Sequence, residues 1–385
     1  NMNSNGYQEQ PPSMPPIYPV PQGRSPLVGC LLAFSLLLNI VLAGFAFLAC
    51  LGAAAFNTGS DFSQANLQEN LHSGNASGKE KVAIVNLDGV IMEGMLGYVH
   101  KQIQQASKDK QVKAVVLRIN SPGGSITASD ELHQKLLELK KGNEARKTHA
   151  VPHLVVSMGS LAASGGYYIA MPSEKIFAER TTMTGSIGVY ASFPNVEGLS
   201  KQLGAGMITI KQGEIKDSGS PFKLMGEKEK QVWQDMVDQS YNLFVKVVEE
   251  GRPALKGKLL EKVEIQPVQA GPNLNGKAVA YQRYRADGGI YTADQALKFG
   301  LVDQIGNLDE AINEAKKLAN LPEDTKVVRY EKPKSFTEVL LDMKSGGTTP
   351  KGLDFSKLPQ ALAPRLWYLA PGAELSGISA TLTAP

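Results

Sequence analysis

Short apolar runs alternate with segments of helical periodicity along the chain after residue 80. Runs of four to eight β-branched and other apolar residues are typical of buried strands, whereas apolar residues that recur every three or four positions indicate helices. Their alternation predicts βαβ units, and therefore an α/β domain built on a parallel sheet. The predicted strands are Val82–Leu87, Ala114–Ile119 and Leu154–Ser157, and the predicted helices between them are Gly97–Ser107 and Ile126–Leu139.

The pattern continues less regularly in the second half of the chain. Residues Glu227–Glu250 place apolar side chains at helical spacing and predict an amphipathic helix that packs on the core. Residues Leu308–Leu318 predict another helix, with Asn307 or Asp309 as its N-cap. The apolar run Met207–Ile210 is interpreted as a strand.

The longest apolar segment lies near the N-terminus. From Leu27 to Phe56 roughly thirty residues carry no charge, and about twenty are enough to span a bilayer. The alternative is a cleaved signal peptide, but its apolar region is only about 7–15 residues long, so we favour a transmembrane helix. Arg24 precedes the segment and Asp61 and Glu69 follow it. Because positive charge is enriched on the cytoplasmic side, the folded domain is expected outside the cytoplasm, held to the cell membrane by a single span.

These patterns divide the chain into five parts. The N-terminal part is rich in proline, which indicates disorder in a cytoplasmic tail. A stretch rich in Asn, Ser, Gly and Gln follows the apolar segment and is interpreted as a linker. A short helix is expected at Phe336–Met343, with no assigned chemistry. The predicted organisation is a tail at 1–26, a transmembrane helix at 27–56, a linker at 57–80, the folded domain at 81–330 and a C-terminal extension at 331–385.

Composition excludes several classes of function. The chain has 385 residues, 42% hydrophobic and 20% charged, with a formal net charge of +3. So small a charge on a chain of this size, without a basic stripe, argues against a nucleic-acid partner. Both cysteines, Cys30 and Cys50, lie in the apolar segment, so the folded domain has no disulfide framework or cysteine-based zinc site. We expect no cofactor and no metal.

The first stretch that could take part in catalysis is RINSPGGSITASDEL, residues 118–132, where a predicted strand meets a predicted helix. Gly123 and Gly124 permit positive φ at this junction and expose backbone N–H groups beside a helix N-terminus. Such N–H groups stabilise an oxyanion. The alternative interpretation is a simple tight turn.

The second stretch is SMGSLAASGGYY, residues 157–168, in which Ser164 is surrounded by alanine and glycine. A serine at the end of a strand with small neighbours is a candidate nucleophile, although a helix N-cap is the more ordinary role. A nucleophilic serine needs a base, and all five histidines (His72, His100, His133, His149 and His153) precede Ser164 without a convincing Asp partner. A neutral lysine is an alternative base. The third stretch, KQGEIKDSGSPF at residues 211–222, offers Lys216, with Lys211 as a close competitor and a solvated surface charge as the ordinary role of either.

Four motifs in order carry a family resemblance. INSPGG, GSLAASGGYYIA, TGSIGV and GEIKDSGSPF, behind one membrane anchor, resemble the signal peptide peptidase A (protease IV) family of membrane-bound serine peptidases over residues 81–306. The resemblance implies the crotonase- and Clp-like α/β fold, with a parallel sheet and surrounding helices. It implies Ser164 as nucleophile and Lys216 as general base, and an oxyanion hole made from Gly123 or Gly124 with Ser164 or Gly165, of which we favour Gly124 and Gly165. Ser186 is expected either to orient the lysine or to serve as a turn residue.

The function implied is a membrane-anchored serine endopeptidase that hydrolyses cleaved signal peptides or other membrane-associated peptides. Because the chain has one copy of each motif, a homo-oligomeric ring with sites shared between subunits is implied as well. The alternatives are a non-catalytic ring that scaffolds membrane proteins, and a crotonase-type acyl-CoA enzyme. The chain departs from the family between residues 252 and 289, where Gly289 replaces the arginine of an Asp-Gly-Arg stretch.

Overall fold

The apolar runs predicted as strands form the centre of a nine-stranded sheet. We describe it from a computed structural model, which covers residues 67–266 and 279–332 in full and the backbone of residues 366–369. Within these ranges the strands are β1 Gln68–Ser73, β2 Lys81–Asp88, β3 Val112–Ser121, β4 Gly123–Ser125, β5 His153–Ala163, β6 Lys175–Ala178, β7 Met183–Gly185, β8 Tyr190–Ala191, β9 Lys262–Ile265, β10 Tyr281–Tyr284, β11 Ile290–Thr292, β12 Gln304–Ile305, β13 Lys326–Glu331 and β14 Leu366–Leu369.

The main sheet is mixed, with a parallel centre. Its order is β1-β13-β2-β3-β5-β6-β12, and β7 pairs with the end of β5 and carries β11 on its other side. The pairs from β13 through β12 and the β5–β7 pair are parallel. The β1–β13 and β7–β11 pairs are antiparallel. The predicted parallel sheet is therefore confirmed at its centre, and two edge strands make the whole sheet mixed.

The helices cover the sheet and connect its strands. The four helices predicted between residues 97 and 318 are confirmed within one or two residues at their ends. Asn307 rather than Asp309 is the N-cap of the helix predicted at Leu308–Leu318, since its side chain accepts a hydrogen bond from the Glu310 N–H at 3.0 Å. In the described ranges the α-helices are α1 Gly97–Lys108, α2 Ile126–Lys141, α3 Gly165–Tyr168, α4 Glu197–Gln202, α5 Glu227–Gly251, α6 Ala293–Lys298 and α7 Leu308–Leu318.

Alternate residues of the central strands face two separate hydrophobic layers. Val82 and Ile84 of β2 lie in the layer that contains Ile312 of α7. Ala83 and Val85 of the same strand lie in the larger layer that is formed with helices α1, α2 and α5. A strand that is buried on both faces has a continuously apolar sequence, which explains why the central strands could be predicted.

Two small sheets lie outside the main one. Strands β9 and β10 form an antiparallel pair. Strand β14 lies between β4 and β8 and is antiparallel to both. Both pairings involve segments where no strand was predicted, residues 252–289 and the C-terminal extension.

Several expectations require correction or lie outside the described ranges. Met207–Ile210 forms no strand, because it has no paired neighbour in the described ranges and its side chains are exposed. Pairing also begins before Lys81, since β1 lies within the residues interpreted as a linker. The tail at 1–26, the apolar segment at 27–56 and the helix expected at Phe336–Met343 lie outside the described residues. Of the helices that are described, none has the length and apolar character to cross a membrane.

Candidate active site

Ser164 lies at the junction of β5 and α3 in a strained backbone conformation. Its φ of 55° and ψ of −117° place it in a region that residues other than glycine rarely adopt. Its N–H donates to the carbonyl oxygen of Gly185 at 2.8 Å, which ties the junction to the end of β7. Strain of this kind persists only where surrounding contacts hold it, and it is concentrated at functional sites.

The side chain of Ser164 is buried and unpartnered. The residue is 0% exposed, and within the described ranges its Oγ has no hydrogen-bond partner. It occupies the N-cap position of α3, yet it makes no capping hydrogen bond. Buried polar atoms are paired in the great majority of cases, so this exception needs an explanation. The ordinary N-cap role considered for Ser164 is therefore wrong, and none of the five histidines is hydrogen-bonded to its Oγ.

The glycines after Ser164 allow close packing against the loop that follows β3. A Cβ atom on Gly165 would lie 2.4 Å from Ser129 Oγ and 3.2 Å from the backbone nitrogen of Gly124. A Cβ atom on Gly166 would lie 2.9 Å from the carbonyl oxygen of Ser121. The glycines of this stretch are thus required for packing. Because they have no side chains, Gly165 can also lie close to Gly124.

Two of the four candidate oxyanion donors are already engaged. The Gly123 N–H donates to Ser121 Oγ at 3.1 Å, and the Ser164 N–H donates to Gly185 as described. Neither bond involves the N–H of Gly124 or of Gly165, the pair favoured from the sequence, and Gly124 itself is paired with Tyr368 of β14. Gly124 is held in place by Ile91, whose carbonyl oxygen would lie 1.9 Å from a Cβ atom at position 124.

A strand of the chain itself runs beside these glycines. In the register of β14, Tyr368 is opposite Gly124 of β4, and Trp367 is opposite both Ser125 of β4 and Tyr190 of β8. The space between β4 and β8 therefore accepts an extended chain in the antiparallel direction.

Lys216 lies on the protein surface, in the loop after Met207–Ile210. It is exposed, and no hydrogen bond or ion pair of its side chain to another described residue is present. Since Ser164 Oγ has no partner in the described ranges, the two predicted dyad residues do not contact each other within one chain.

The competing lysine, Lys211, is engaged within its own loop. Its Nζ donates to the Asp217 carboxylate and to the carbonyl oxygen of Glu214. Lys223 donates to the same carboxylate at 2.8 Å and to Glu229 at 2.6 Å. Hydrogen bonds from Lys211 and then from Lys223 lower the pKa of the Asp217 carboxyl to about 2. The charged groups around Lys216 thus neutralise one another and leave it as the unengaged amine.

The loop that carries Lys216 is fastened to α5. Trp233 Nε1 donates to Ser218 Oγ at 2.9 Å, and the indole packs on Phe193 with ring centroids 4.6 Å apart. From the sequence, the helix that carries Trp233 was predicted to pack on the core. Its contact with Ser218 could not be found from the sequence, because the partner lies in a loop without periodicity.

Ser186, also singled out from the sequence, is bound to a neighbouring turn. Its Oγ donates to the carbonyl oxygen of Gly288 at 3.0 Å, and its N–H donates to that of Gly289 at 2.9 Å. Its φ of 52° is in the left-handed region, as for Ser164. Within one chain these contacts match the turn role, and the lysine-orienting role remains a prediction.

Comparison with known proteins identifies the family. The model of peptidase family S49 matches residues 146–264 and 265–322, and the Clp protease model matches residues 76–186. The slr0021 protein of Synechocystis, named as a protease, is 34% identical over 265 residues, which cover 69% of this chain and 84% of the relative.

Two further relatives are longer proteins. A protein of Enterococcus faecium named as signal peptide peptidase SppA is 38% identical over 230 residues, which cover 60% of this chain and 58% of the relative. Protease 4 of Haemophilus influenzae is 31% identical over 254 residues, which cover 64% of this chain and 36% of the relative. The chain thus spans between about a third and three fifths of these relatives' lengths.

The fold is therefore a Clp-protease-like α/β fold, with a mostly parallel mixed sheet and surrounding helices. Within that class the chain belongs to peptidase family S49, and the resemblance to serine peptidases noted from the sequence is confirmed.

Proposed function

We propose that this chain is a membrane-anchored serine endopeptidase in which Ser164 is the nucleophile and Lys216 the general base. The observation that carries the proposal is the buried Oγ of Ser164, which has no partner in the described ranges and is held in a strained conformation directly before Gly165, whose backbone packs against that of Gly124. An activated nucleophile beside two preorganised N–H donors is the arrangement that acyl transfer requires.

The reaction proceeds through an acyl-enzyme. Ser164 Oγ attacks the peptide carbonyl carbon while the neutral amine of Lys216 takes the hydroxyl proton. The negative charge that develops on the carbonyl oxygen is stabilised by the N–H groups of Gly124 and Gly165. The same lysine then returns its proton to the leaving amine as the C–N bond breaks. Water, deprotonated by Lys216, finally hydrolyses the ester and releases the carboxylate product.

The dyad is completed between two copies of the chain. This step is supported by the burial of Ser164 without a base and the exposure of Lys216 without a partner. The segment before Lys216 is also unusually apolar for a surface, with Leu203 72%, Ile208 93% and Ile210 96% exposed. A contiguous exposed apolar surface indicates an interaction site. A lysine donated from one copy to the serine of the next is a head-to-tail contact, which closes into a ring.

The substrate binds as an extended strand between β4 and β8. This is supported by β14, whose backbone already pairs with both strands and lies opposite Gly124. Main-chain pairing of this kind gives affinity without demanding one sequence. The proposed substrates are signal peptides left in the membrane and other membrane-associated peptides. They fit a domain that residues 27–56 hold at the extracytoplasmic face of the cell membrane.

The shared site is tested by mixing two inactive variants. Full-length Ser164→Ala and Lys216→Ala chains, each purified in detergent, are mixed, dissociated and reassembled, and then assayed on a fluorogenic peptide with small apolar residues. We expect recovery of about a quarter of the parent activity, because random mixing places an intact serine beside an intact lysine at one site in four.

The matched control replaces the Lys216→Ala chain with the double variant Ser164→Ala/Lys216→Ala, which cannot supply an intact serine and is expected to recover nothing. Recovery by the first mixture alone supports the shared dyad. Mixed assemblies that form and stay inactive would mean that both residues must belong to one chain. An inactive parent would favour the non-catalytic scaffold.

The C-terminal strand is expected to compete with substrate. Deleting residues 366–385 empties the space between β4 and β8, so KM for a short peptide should fall roughly three- to tenfold, because a larger fraction of sites is competent to bind. Steady-state kinetics of the full chain and the deletion variant measure the change.

The matched point variant is Trp367→Pro. Trp367 pairs with β4 and β8, and proline removes an N–H that a strand paired on both sides uses. It should lower KM in the same direction as the deletion. An unchanged KM in both variants would show that β14 does not occupy the substrate site.

A further inference from the structure

The guanidinium group of Arg283, in β10, is bound to the Asp287–Gly289 turn and to the start of β11. Its Nε donates to Asp287 Oδ2 at 2.8 Å and its Nη2 donates to Oδ1 of the same carboxylate. Its Nη1 donates to the carbonyl oxygen of Ile290 at 3.0 Å. The group also lies over the ring of Tyr291, 4.2 Å from the ring centroid. A planar, bidentate and stacked arrangement of this kind uses geometry that only arginine has.

The turn held by Arg283 is in direct contact with Ser186. Asp287 Oδ1 accepts the Gly289 N–H at 3.0 Å, which fixes the turn internally. The carbonyl oxygens of Gly288 and Gly289 then accept both hydrogen bonds of Ser186. These two bonds hold Ser186 in its left-handed conformation, since a residue with φ near 52° keeps it only under outside constraint.

Ser186 follows the residue that anchors the nucleophile. The carbonyl oxygen of Gly185 accepts the N–H of Ser164 at 2.8 Å. Ile290 of β11 is paired with the same Gly185 in the β7–β11 ladder. Hydrogen bonds therefore join Arg283 to the Asp287–Gly289 turn and the turn to Ser186, and the peptide bond between Ser186 and Gly185 completes the connection to the strained backbone of Ser164.

Gly289 leaves the space that the guanidinium fills. A Cβ atom at position 289 would lie 2.0 Å from Arg283 Nη2 and 2.8 Å from its Cζ. Any side chain there must displace the end of Arg283. Gly289 and Arg283 are thus one steric unit.

We propose that Arg283 is a positioning residue that sets the conformation of Ser164 through the Asp287–Gly289 turn, with Gly289 as its obligatory partner. The inference rests on the proposed role of Ser164 as nucleophile and deepens it. In this proposal, the segment between α5 and β11 holds the backbone of Ser164 in its strained conformation, although Arg283 itself lies outside the main sheet.

The test is a double-variant cycle in the full-length chain, measured as kcat and KM on the fluorogenic peptide. Arg283→Ala should lower kcat by roughly ten- to a hundredfold with KM within about twofold, because a nucleophile displaced by about 1 Å loses rate rather than binding. Gly289→Ala should lower kcat similarly, because its methyl group displaces the guanidinium. The double variant should be no worse than either single variant, since both remove the same contact.

Two further variants separate positioning from folding. Arg283→Lys should behave like Arg283→Ala, because an ammonium group cannot replace the bidentate, stacked guanidinium. Arg285→Ala is the matched control directly after β10, since Arg285 contacts the Lys258 carbonyl oxygen and Glu261 rather than the turn, and it should keep the parent kcat.

The outcomes are distinct. A kcat for Arg283→Ala within twofold of the parent, or losses of the two single variants that multiply in the double variant, would overturn the inference. The inference is also overturned if Arg285→Ala lowers kcat as much as Arg283→Ala does, because the segment around β10 then affects kcat only through the stability of the fold. A Ser164→Ala chain that matched the parent in the same assay would instead overturn the proposed function.

Discussion

Replacing Ser164 with alanine is expected to lower kcat by a factor on the order of 10⁴ to 10⁶, leaving only the contribution of binding and the oxyanion donors. The reason is chemical: no other hydroxyl in the described ranges combines burial, strain and proximity to Gly124 and Gly165. The substitution removes one buried oxygen that has no partner, so the folded state loses no hydrogen bond. Steady-state hydrolysis of the fluorogenic peptide, together with the thermal unfolding temperature of each chain, measures both parts of the expectation.

Ser160→Ala is the matched control for this prediction. Ser160 lies on the same strand, but it is exposed and its Oγ donates to Asn120 Oδ1 at 2.8 Å. Activity of the control should stay within about twofold of the parent, as is usual for surface changes. If Ser164→Ala kept a tenth or more of the parent kcat, Ser164 would not be the nucleophile.

Replacing Lys216 with alanine should have the second largest effect, a loss of kcat of at least about 10³-fold, because serine without a base is a weak nucleophile. Lys216→Arg should be equally inactive, since a guanidinium group stays charged and cannot accept the proton. Since Lys216 is exposed and unpaired within one chain, neither change should alter the stability of the isolated subunit. The kinetics of both variants, with thermal unfolding as the check, measure this.

Lys211→Ala distinguishes Lys216 from its neighbour. Lys211 is engaged with Asp217 and Glu214, and Lys223 still holds Asp217 when Lys211 is removed. We therefore expect Lys211→Ala to keep most of the parent kcat. The reverse result, an inactive Lys211→Ala beside an active Lys216→Ala, would assign the base to Lys211.

The residue pattern alone was enough to predict the framework that carries the site. Strands β2 and β3 were predicted nearly to their ends because burial on both faces makes a strand continuously apolar. The helices were predicted because their apolar faces repeat with helical period. The run Met207–Ile210 shows the limit of this reasoning, since a run of apolar residues does not reveal whether a neighbouring strand exists to pair with it.

The candidate residues of the site were also predicted from the sequence, but the choices among them were not. The preference for Gly124 and Gly165 gains its support from the bonds that already occupy the N–H groups of Gly123 and Ser164. The distinction between Lys211 and Lys216 depends on which carboxylates lie nearby, and those are brought together by the fold of the loop.

By itself, the sequence determined the order of the central strands β2, β3 and β5 and of the long helices, the four motifs and the family to which they point, because periodicity and short motifs are local properties of a chain. Only the tertiary structure decided which hydrogen-bonding groups are already engaged, that β14 lies beside Gly124, and that Arg283 fills the space above Gly289. These are contacts between segments distant in the chain. Their geometry depends on distances of a few ångströms, which no pattern of residue types records.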